Sequence, residues 1–170
     1  IYISDGYGNS RVHHYTPEGK LIGSWGERGT GPGQFMIPHS VEVDPSGLVY
    51  VADRENSRIQ IFSSSGQYVS EWRGVHRPNE ILHGNDGAMY VAELGMRQGT
   101  GPDADEVTVV TPHSGVKIMT KNGQWLGGWG ADTHTAGDIV AAHAVGIDSE
   151  GSLYVGETLD GARLQKFIRV

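Results

Sequence analysis

Two histidines stand at equivalent places in a repeated pattern. His39 precedes Tyr50 by 11 residues, and His143 precedes Tyr154 by 11 residues. A neutral imidazole is a good zinc ligand, so two imidazoles brought together from different repeats predict part of a divalent-metal site. The alternative interpretation is that both side chains make hydrogen bonds along a channel.

A metal site would need one or two ligands besides His39 and His143. They could come from further repeats outside this chain, or from His76 or His134. No cysteine is present, which excludes thiolate ligands and disulfides, so a transition metal would be held mainly by His, Asp or Glu.

A tyrosine and an arginine in turn segments could act beside these histidines. Tyr7 lies between two glycines, which suit a tight turn that presents the ring outward. Beside a metal its phenol could act as a general base, and the alternative is an exposed turn tyrosine that packs on a neighbour. Arg54 does not recur in the other repeats and could bind a carboxylate. The alternative for Arg54 is an ion pair with Asp53 or Glu55.

The elements that would position these residues are short strands. Residues 40–72 contain four stretches with alternating apolar and polar residues, separated by turns rich in Gly, Ser and Asn. A tryptophan follows the third stretch after 13 residues in three units: Val12 to Trp25, Ile59 to Trp72 and Val116 to Trp129. Repeated units of four short strands predict an all-β fold, specifically a β-propeller.

We predict a single propeller segment over residues 1–170, with about four blades. The blades are expected near residues 1–26, 39–73, 79–130 and 143–170. The first unit lacks its first strand and the last lacks its fourth, which is typical of part of a larger ring. The chain starts at Ile1 within a strand pattern and without a methionine, so we interpret it as a piece of a longer protein. Its upstream part could hold an export signal.

The connectivity of a blade places the candidate residues together. In an antiparallel blade, the start of the first strand and the loop between the second and third strands lie at the same end. We therefore expect His39, His143, Tyr7 and Arg54 at one end of the ring, with the histidines nearest its axis. The long segment from Leu94 to Gly115 reaches the same end and could be a lid or a solvated loop.

The overall composition narrows the classes of partner. The formal net charge of −7 disfavours a nucleic-acid binder, because no basic face is evident to neutralise phosphates. No apolar run approaches the roughly 18 residues that a membrane-spanning helix needs. The expected partner is a small-molecule or peptide substrate.

Five motifs match one known family. They are Asp5-Gly6-Tyr7-Gly8-Asn9-Ser10-Arg11, Trp25-Gly26-Glu27, Pro32-Gly33-Gln34-Phe35, Pro38-His39-Ser40 and Ala52-Asp53-Arg54-Glu55-Asn56-Ser57-Arg58-Ile59-Gln60. Together they resemble the NHL-repeat propeller of the peptidyl-α-hydroxyglycine α-amidating lyases. The resemblance is close over residues 1–62, is limited to the repeat over 63–130, and resumes weakly at His143. It implies a six-bladed propeller, of which part is absent here.

The resemblance implies a zinc ion held by three histidines, and cleavage of a peptidyl-α-hydroxyglycine to a peptide amide and glyoxylate. His39 and His143 match two of the zinc ligands. Tyr7 matches the tyrosine proposed to deprotonate the substrate hydroxyl, and Arg54 matches an active-site arginine. The third histidine and a second arginine would precede Ile1. The family has an acidic residue after the last histidine that helps bind a structural calcium, and Ala144 stands there, which puts calcium in doubt.

Three functions are therefore kept as hypotheses. The first is a zinc-dependent lyase of the amidating type. The second is a different metal-dependent enzyme on the same site, a hydrolase or lactonase, because propeller axes support several chemistries. The third is a non-catalytic NHL interaction module, which would bind no metal.

Overall fold

A computed structural model describes residues 1–95, 114–130, 134–159 and 161–169, which form successive antiparallel sheets. The first sheet contains β1 (Tyr2–Asp5), β2 (Arg11–Tyr15) and β3 (Leu21–Trp25). A short parallel pair, β4 (Glu27–Arg28) and β5 (Gln34–Phe35), leads to the second sheet. That sheet contains β6 (Pro38–Val43), β7 (Val49–Asp53), β8 (Arg58–Phe62) and β9 (Tyr68–Trp72), with a 3-10 turn over Arg54–Asn56.

The third sheet is also four-stranded, and the fourth has three strands. The third contains β10 (Pro78–His83), β11 (Met89–Glu93), β12 (Gly115–Met119) and β13 (Trp125–Trp129). The fourth contains β14 (Ala142–Ile147), β15 (Leu153–Glu157) and β16 (Leu164–Phe167). In each sheet, strands consecutive in the chain are paired with each other, as in the blades of a propeller. The all-β prediction is confirmed.

The core lies between the sheets, because each central strand is apolar on both faces. In β7, Val49 and Val51 pack towards the first sheet, whereas Tyr50 and Ala52 pack towards the third. Successive side chains of a strand point to opposite faces, so an uninterrupted apolar stretch joins two neighbouring sheets. The same layering between the third and fourth sheets involves Ala92, Val116, Ile139, Ala142, Val145, Leu153 and Val155.

A buried polar cluster surrounds the arginine at the start of the third strand of the second sheet. Arg58 donates to the Asp53 carboxylate at 2.8 Å and to the Gln34 carbonyl at 2.8 Å. The fourth sheet repeats the arrangement: Arg163 donates to Glu157 at 2.6 Å and to the Asp138 carbonyl at 2.6 Å. In both cases the side chains satisfy the backbone of the connection between two sheets. These arginines therefore hold the connections that lead to the candidate site.

Within the described residues, no helix is long and apolar enough to cross a bilayer.

Candidate functional site

A β-bulge occurs at the same place in each of the three first strands, β6, β10 and β14. The pairing with the second strand shifts between Pro38 and Ser40, between Pro78 and Glu80, and between Ala142 and Ala144. The unpaired residue is His39, Asn79 or His143. A bulge bends the strand and re-aims one side chain, which is a common arrangement beside active sites. Both histidines were expected where the first strand starts, and they lie just inside it because these strands begin earlier than the alternation indicated.

The two histidines are neighbours, although 104 positions separate them in the chain. Their ring centroids are 5.0 Å apart, with an angle of 79° between the ring planes. His39 Nδ1 lies 2.8 Å from the carbonyl oxygen of Asn79. A carbonyl only accepts, so Nδ1 carries the hydrogen, and the lone pair of the neutral ring is on Nε2. A backbone carbonyl on the far nitrogen is the usual support of a metal-binding histidine.

The surroundings of His39 favour its neutral form. Burial lowers its pKa below the usual value, the charges of Arg54 and His143 lower it further, and the hydrogen bond to Asn79 opposes them. A cavity of about 290 Å³ is lined by His39, Ser40, Asn79, Glu80, His143 and Ala144. A neutral imidazole whose Nε2 lone pair lies beside a cavity can accept a proton or bind a cation.

Tyr7 comes to this site from the loop between β1 and β2. Its side chain is 76% exposed, and its hydroxyl lies 3.5 Å from His39 Nε2. The same oxygen accepts a hydrogen bond of 3.0 Å from Arg54 Nη1. Gly6 permits this approach, because a Cβ at that position would collide with the Pro38 carbonyl. The phenol thus lies between a guanidinium and an imidazole.

The ion-pair interpretation of Arg54 holds for Glu55, and carboxylate binding by Arg54 stays a prediction. Its Nε donates to Glu55 Oε1 at 2.8 Å while its Nη1 donates to Tyr7. Asp53, the other expected ion-pair partner, is instead bonded to Arg58. Arg54 is nearly buried, with its side chain 9% exposed. A guanidinium fixed by one edge in this way keeps donors for a ligand on its other edge.

Two further residues lie at this site, Arg77 and Glu80, and the sequence analysis assigned no role to either. Arg77 donates to both oxygens of Glu55, at 3.1 Å and 2.9 Å. Burial alone would raise the pKa of Glu55, but Arg77 and then Arg54 outweigh it and hold the pKa below its usual value. Glu80 accepts from the Val145 amide at 2.9 Å, and burial raises its pKa. The available signal for Arg77 was its position directly before the first strand β10, since the start of a first strand was expected at this end.

The donor set fits part of a zinc site. His39 and His143 offer two nitrogens, whereas a catalytic zinc has three protein ligands. Among the residues that the structure describes, no group of three His, Asp or Glu could hold a metal. His76 lies beside Lys117, with 3.3 Å between Nδ1 and Nζ, and His134 accepts an Arg163 hydrogen bond through its carbonyl.

Most of the Leu94–Gly115 segment, residues 96–113, lies outside the described residues, so the lid stays a prediction.

Comparison with known proteins indicates the repeat type and the fold of the chain. Residues 35–62 match the NHL repeat family. The fold is similar to the crystal structure of virginiamycin B lyase from Staphylococcus aureus, with a TM-score of 0.59, 12% identity, and coverage of 94% of this chain and 49% of that one. An identity this low supports the fold alone. The chain has a β-propeller fold and contains an NHL repeat over residues 35–62.

Particular relatives connect the chain to amidating enzymes. It is 30% identical over 168 residues to peptidyl-glycine alpha-amidating monooxygenase B of Xenopus laevis, covering 92% of this chain and 18% of that protein. It is 37% identical over 82 residues to peptidyl-alpha-hydroxyglycine alpha-amidating lyase 1 of Drosophila melanogaster, covering 42% and 15%. It is 31% identical over 176 residues to human NHL repeat-containing protein 3, covering 99% and 46%. The chain thus spans less than half the length of each relative.

Proposed function

We propose that this chain is part of a zinc-dependent lyase that converts a peptidyl-α-hydroxyglycine to a peptide amide and glyoxylate. One observation carries the proposal: the Tyr7 hydroxyl lies within reach of both Arg54 and His39, whose ring contacts His143. These four residues match the lyase motifs, and they come from three different sheets. The similarity to the Drosophila lyase supports the same chemistry.

His39 and His143 would hold the zinc ion, together with a third ligand outside the described residues. Bound there, zinc supplies a Lewis acid that makes the substrate hydroxyl more acidic. The carbonyl of Asn79 keeps the Nε2 of His39 free, because it holds the hydrogen on Nδ1. The bulges place both imidazoles at the same end of β6 and β14, with their ring centroids 5.0 Å apart.

Tyr7 takes the hydroxyl proton in this proposal. Its oxygen accepts from Arg54, and the guanidinium charge stabilises the phenolate that must receive the proton. The electron pair of the O–H bond then forms the aldehyde C=O, and the C–N bond breaks. The amide nitrogen leaves with that bonding pair and takes up the proton that Tyr7 accepted. Atoms and electrons balance without an oxidant.

Arg54 binds the carboxylate of the substrate, which becomes the carboxylate of glyoxylate. The guanidinium is fixed on Glu55 and lies over the Tyr7 ring, with Cζ 5.3 Å from the ring centroid. This places a carboxylate-binding group directly beside the proposed base. The carbon that carries the hydroxyl is adjacent to the carboxylate in an α-hydroxyglycine, so the two contacts are compatible in one substrate.

The decisive experiment measures glyoxylate release from an α-hydroxyglycine peptide by the full-length, zinc-loaded protein. We expect release that a chelator abolishes and that added zinc restores. A full-length protein that binds zinc and releases no glyoxylate would remove the proposed reaction.

A second candidate is a non-catalytic NHL module. It is favoured by the similarity to human NHL repeat-containing protein 3 over 99% of this chain, since that name specifies a repeat and no reaction. The module predicts no bound zinc in the full-length protein. Elemental analysis of the purified protein therefore separates the two candidates before any substrate is tried.

A further inference from the structure

Three charged side chains, Arg54, Glu55 and Arg77, form a ladder of ion pairs at the candidate site. Arg54 and Arg77 both donate to Glu55, Arg54 through Nε alone and Arg77 through two nitrogens. Little of the three side chains is exposed: 9% for Arg54, 15% for Glu55 and 9% for Arg77. The ladder therefore contains two positive charges and one negative charge, nearly removed from solvent.

The charge balance of this ladder depends on Arg77. With Arg54 and Glu55 alone, the pair would be neutral and would attract an anion weakly. The bidentate contact of Arg77 offsets the Glu55 charge, because a guanidinium matches the two oxygens of a carboxylate. Arg54 then acts as an unopposed cation in a region where charges are poorly screened. An excess of buried positive charge favours an anionic ligand.

The repeat does not require an arginine at position 77. Ile37 holds the equivalent place before the second-sheet bulge, and it precedes Pro38 as Arg77 precedes Pro78. Both residues have left-handed backbone, with φ of 57° for Ile37 and 47° for Arg77. The unusual backbone is thus common to two blades, whereas the charged side chain is particular to one.

We propose that Arg77 is a positioning residue of a carboxylate-binding site centred on Arg54, and that it acts through Glu55. Arg77 pairs with the Glu55 carboxylate and offsets its charge, so the Arg54 guanidinium presents a net positive charge to a ligand at its Nη edge. The ligand class is a small α-oxo or α-hydroxy carboxylate. Only this choice of ligand rests on the proposed lyase function.

The test measures glyoxylate binding to the full-length protein by calorimetry, with acetate as a second probe. We expect Arg77→Met to weaken glyoxylate binding about tenfold, because Glu55 then neutralises Arg54. The double variant Glu55→Gln with Arg77→Met should return to within about threefold of the unmodified protein, since Arg54 is again unopposed. The control Arg73→Met removes an exposed arginine paired with Glu71 and should change nothing.

The double variant separates charge from packing. A purely structural role for Arg77 predicts that both variants bind weakly, and that result would overturn the proposal, as would unchanged binding in Arg77→Met. Thermal melting confirms that each variant is folded, and an unfolded Arg77→Met leaves the double variant to decide. Failure of glyoxylate release with this binding pattern intact would remove the lyase and keep the carboxylate site. Glyoxylate release without this binding pattern would keep the lyase and remove the proposed role of Arg77 in carboxylate binding.

Discussion

The imidazole of His39 donates through Nδ1 to the backbone carbonyl of Asn79, 2.8 Å away on the neighbouring sheet. The side-chain amide of Asn79 in turn donates to the carbonyl of Ala142, next to His143, at 2.9 Å. Three bulged strands are thus joined by hydrogen bonds at the level of the candidate site. The ring of His39 is oriented by backbone that other blades supply, which makes its position a property of the assembled propeller.

If His39 and His143 bind zinc, replacement of either histidine should release the metal. We expect His39→Ala or His143→Ala to weaken zinc binding by the full-length protein at least a hundredfold, because a three-histidine site that loses one ligand rarely retains its metal. The measurement is zinc content after dialysis, followed by competition with a chromogenic chelator. The matched control is His134→Ala, whose exposed side chain lies in a connection and whose carbonyl keeps its bond to Arg163. Full zinc content in His39→Ala would contradict the assignment.

Removal of the Tyr7 hydroxyl should affect reaction and leave stability unchanged. We expect Tyr7→Phe to lower glyoxylate release by roughly a hundredfold to ten-thousandfold, the usual contribution of a general base. The side chain is 76% exposed, so the free energy of unfolding should change by less than about 0.5 kcal/mol. Tyr68→Phe, on the outer strand β9, is the control for loss of a tyrosine hydroxyl. A Tyr7→Phe variant with at least half the activity would exclude Tyr7 as the base.

The lowered pKa of Glu55 predicts how stability depends on pH. Burial raises this pKa, Arg77 and Arg54 lower it more, and the folded value is below the unfolded value of about 4.3. A carboxyl with a lowered folded pKa stabilises the protein fully above its unfolded pKa, and this contribution is lost as pH falls through the folded pKa. The difference in urea midpoint between the unmodified protein and Glu55→Gln should therefore be constant from pH 6 to 7 and shrink below about pH 4. A difference in urea midpoint that grows as the pH falls would contradict a lowered pKa of Glu55.

The turn glycine that packs against a tryptophan ring should be more costly to replace by alanine than one in open space. Gly123 has φ of 78°, and a Cβ there would overlap the Trp72 ring, whereas Gly87 has φ of 80° and open space around it. Gly87→Ala should cost about 1–2 kcal/mol through backbone strain alone. Gly123→Ala should cost about 1–3 kcal/mol more, because the ring must also shift. Urea unfolding compares the two variants, and equal losses would mean that the tryptophan contact does not constrain the turn.

Much of the architecture could be predicted because it depends on local periodicity. Alternation within each strand, turn glycines and the constant distance from Val12, Ile59 and Val116 to a tryptophan are properties of the chain itself. The same periodicity placed His39 and His143 at equivalent positions of two repeats. Connectivity alone then predicted that Tyr7 and Arg54 lie at their end, and the distances among the four residues agree with that prediction.

Only the tertiary structure decided how these groups interact. The hydrogen bond from His39 to Asn79 joins residues 40 positions apart, and the ion pair of Glu55 with Arg77 joins residues 22 positions apart. Neither follows a strand period, because both cross between sheets, and the bulges that aim the histidines arise where one strand fits another. Composition and spacing therefore determined the fold class and the candidate residues. The packing of neighbouring sheets decided which nitrogen of His39 is free and that Arg77 offsets the charge of Glu55.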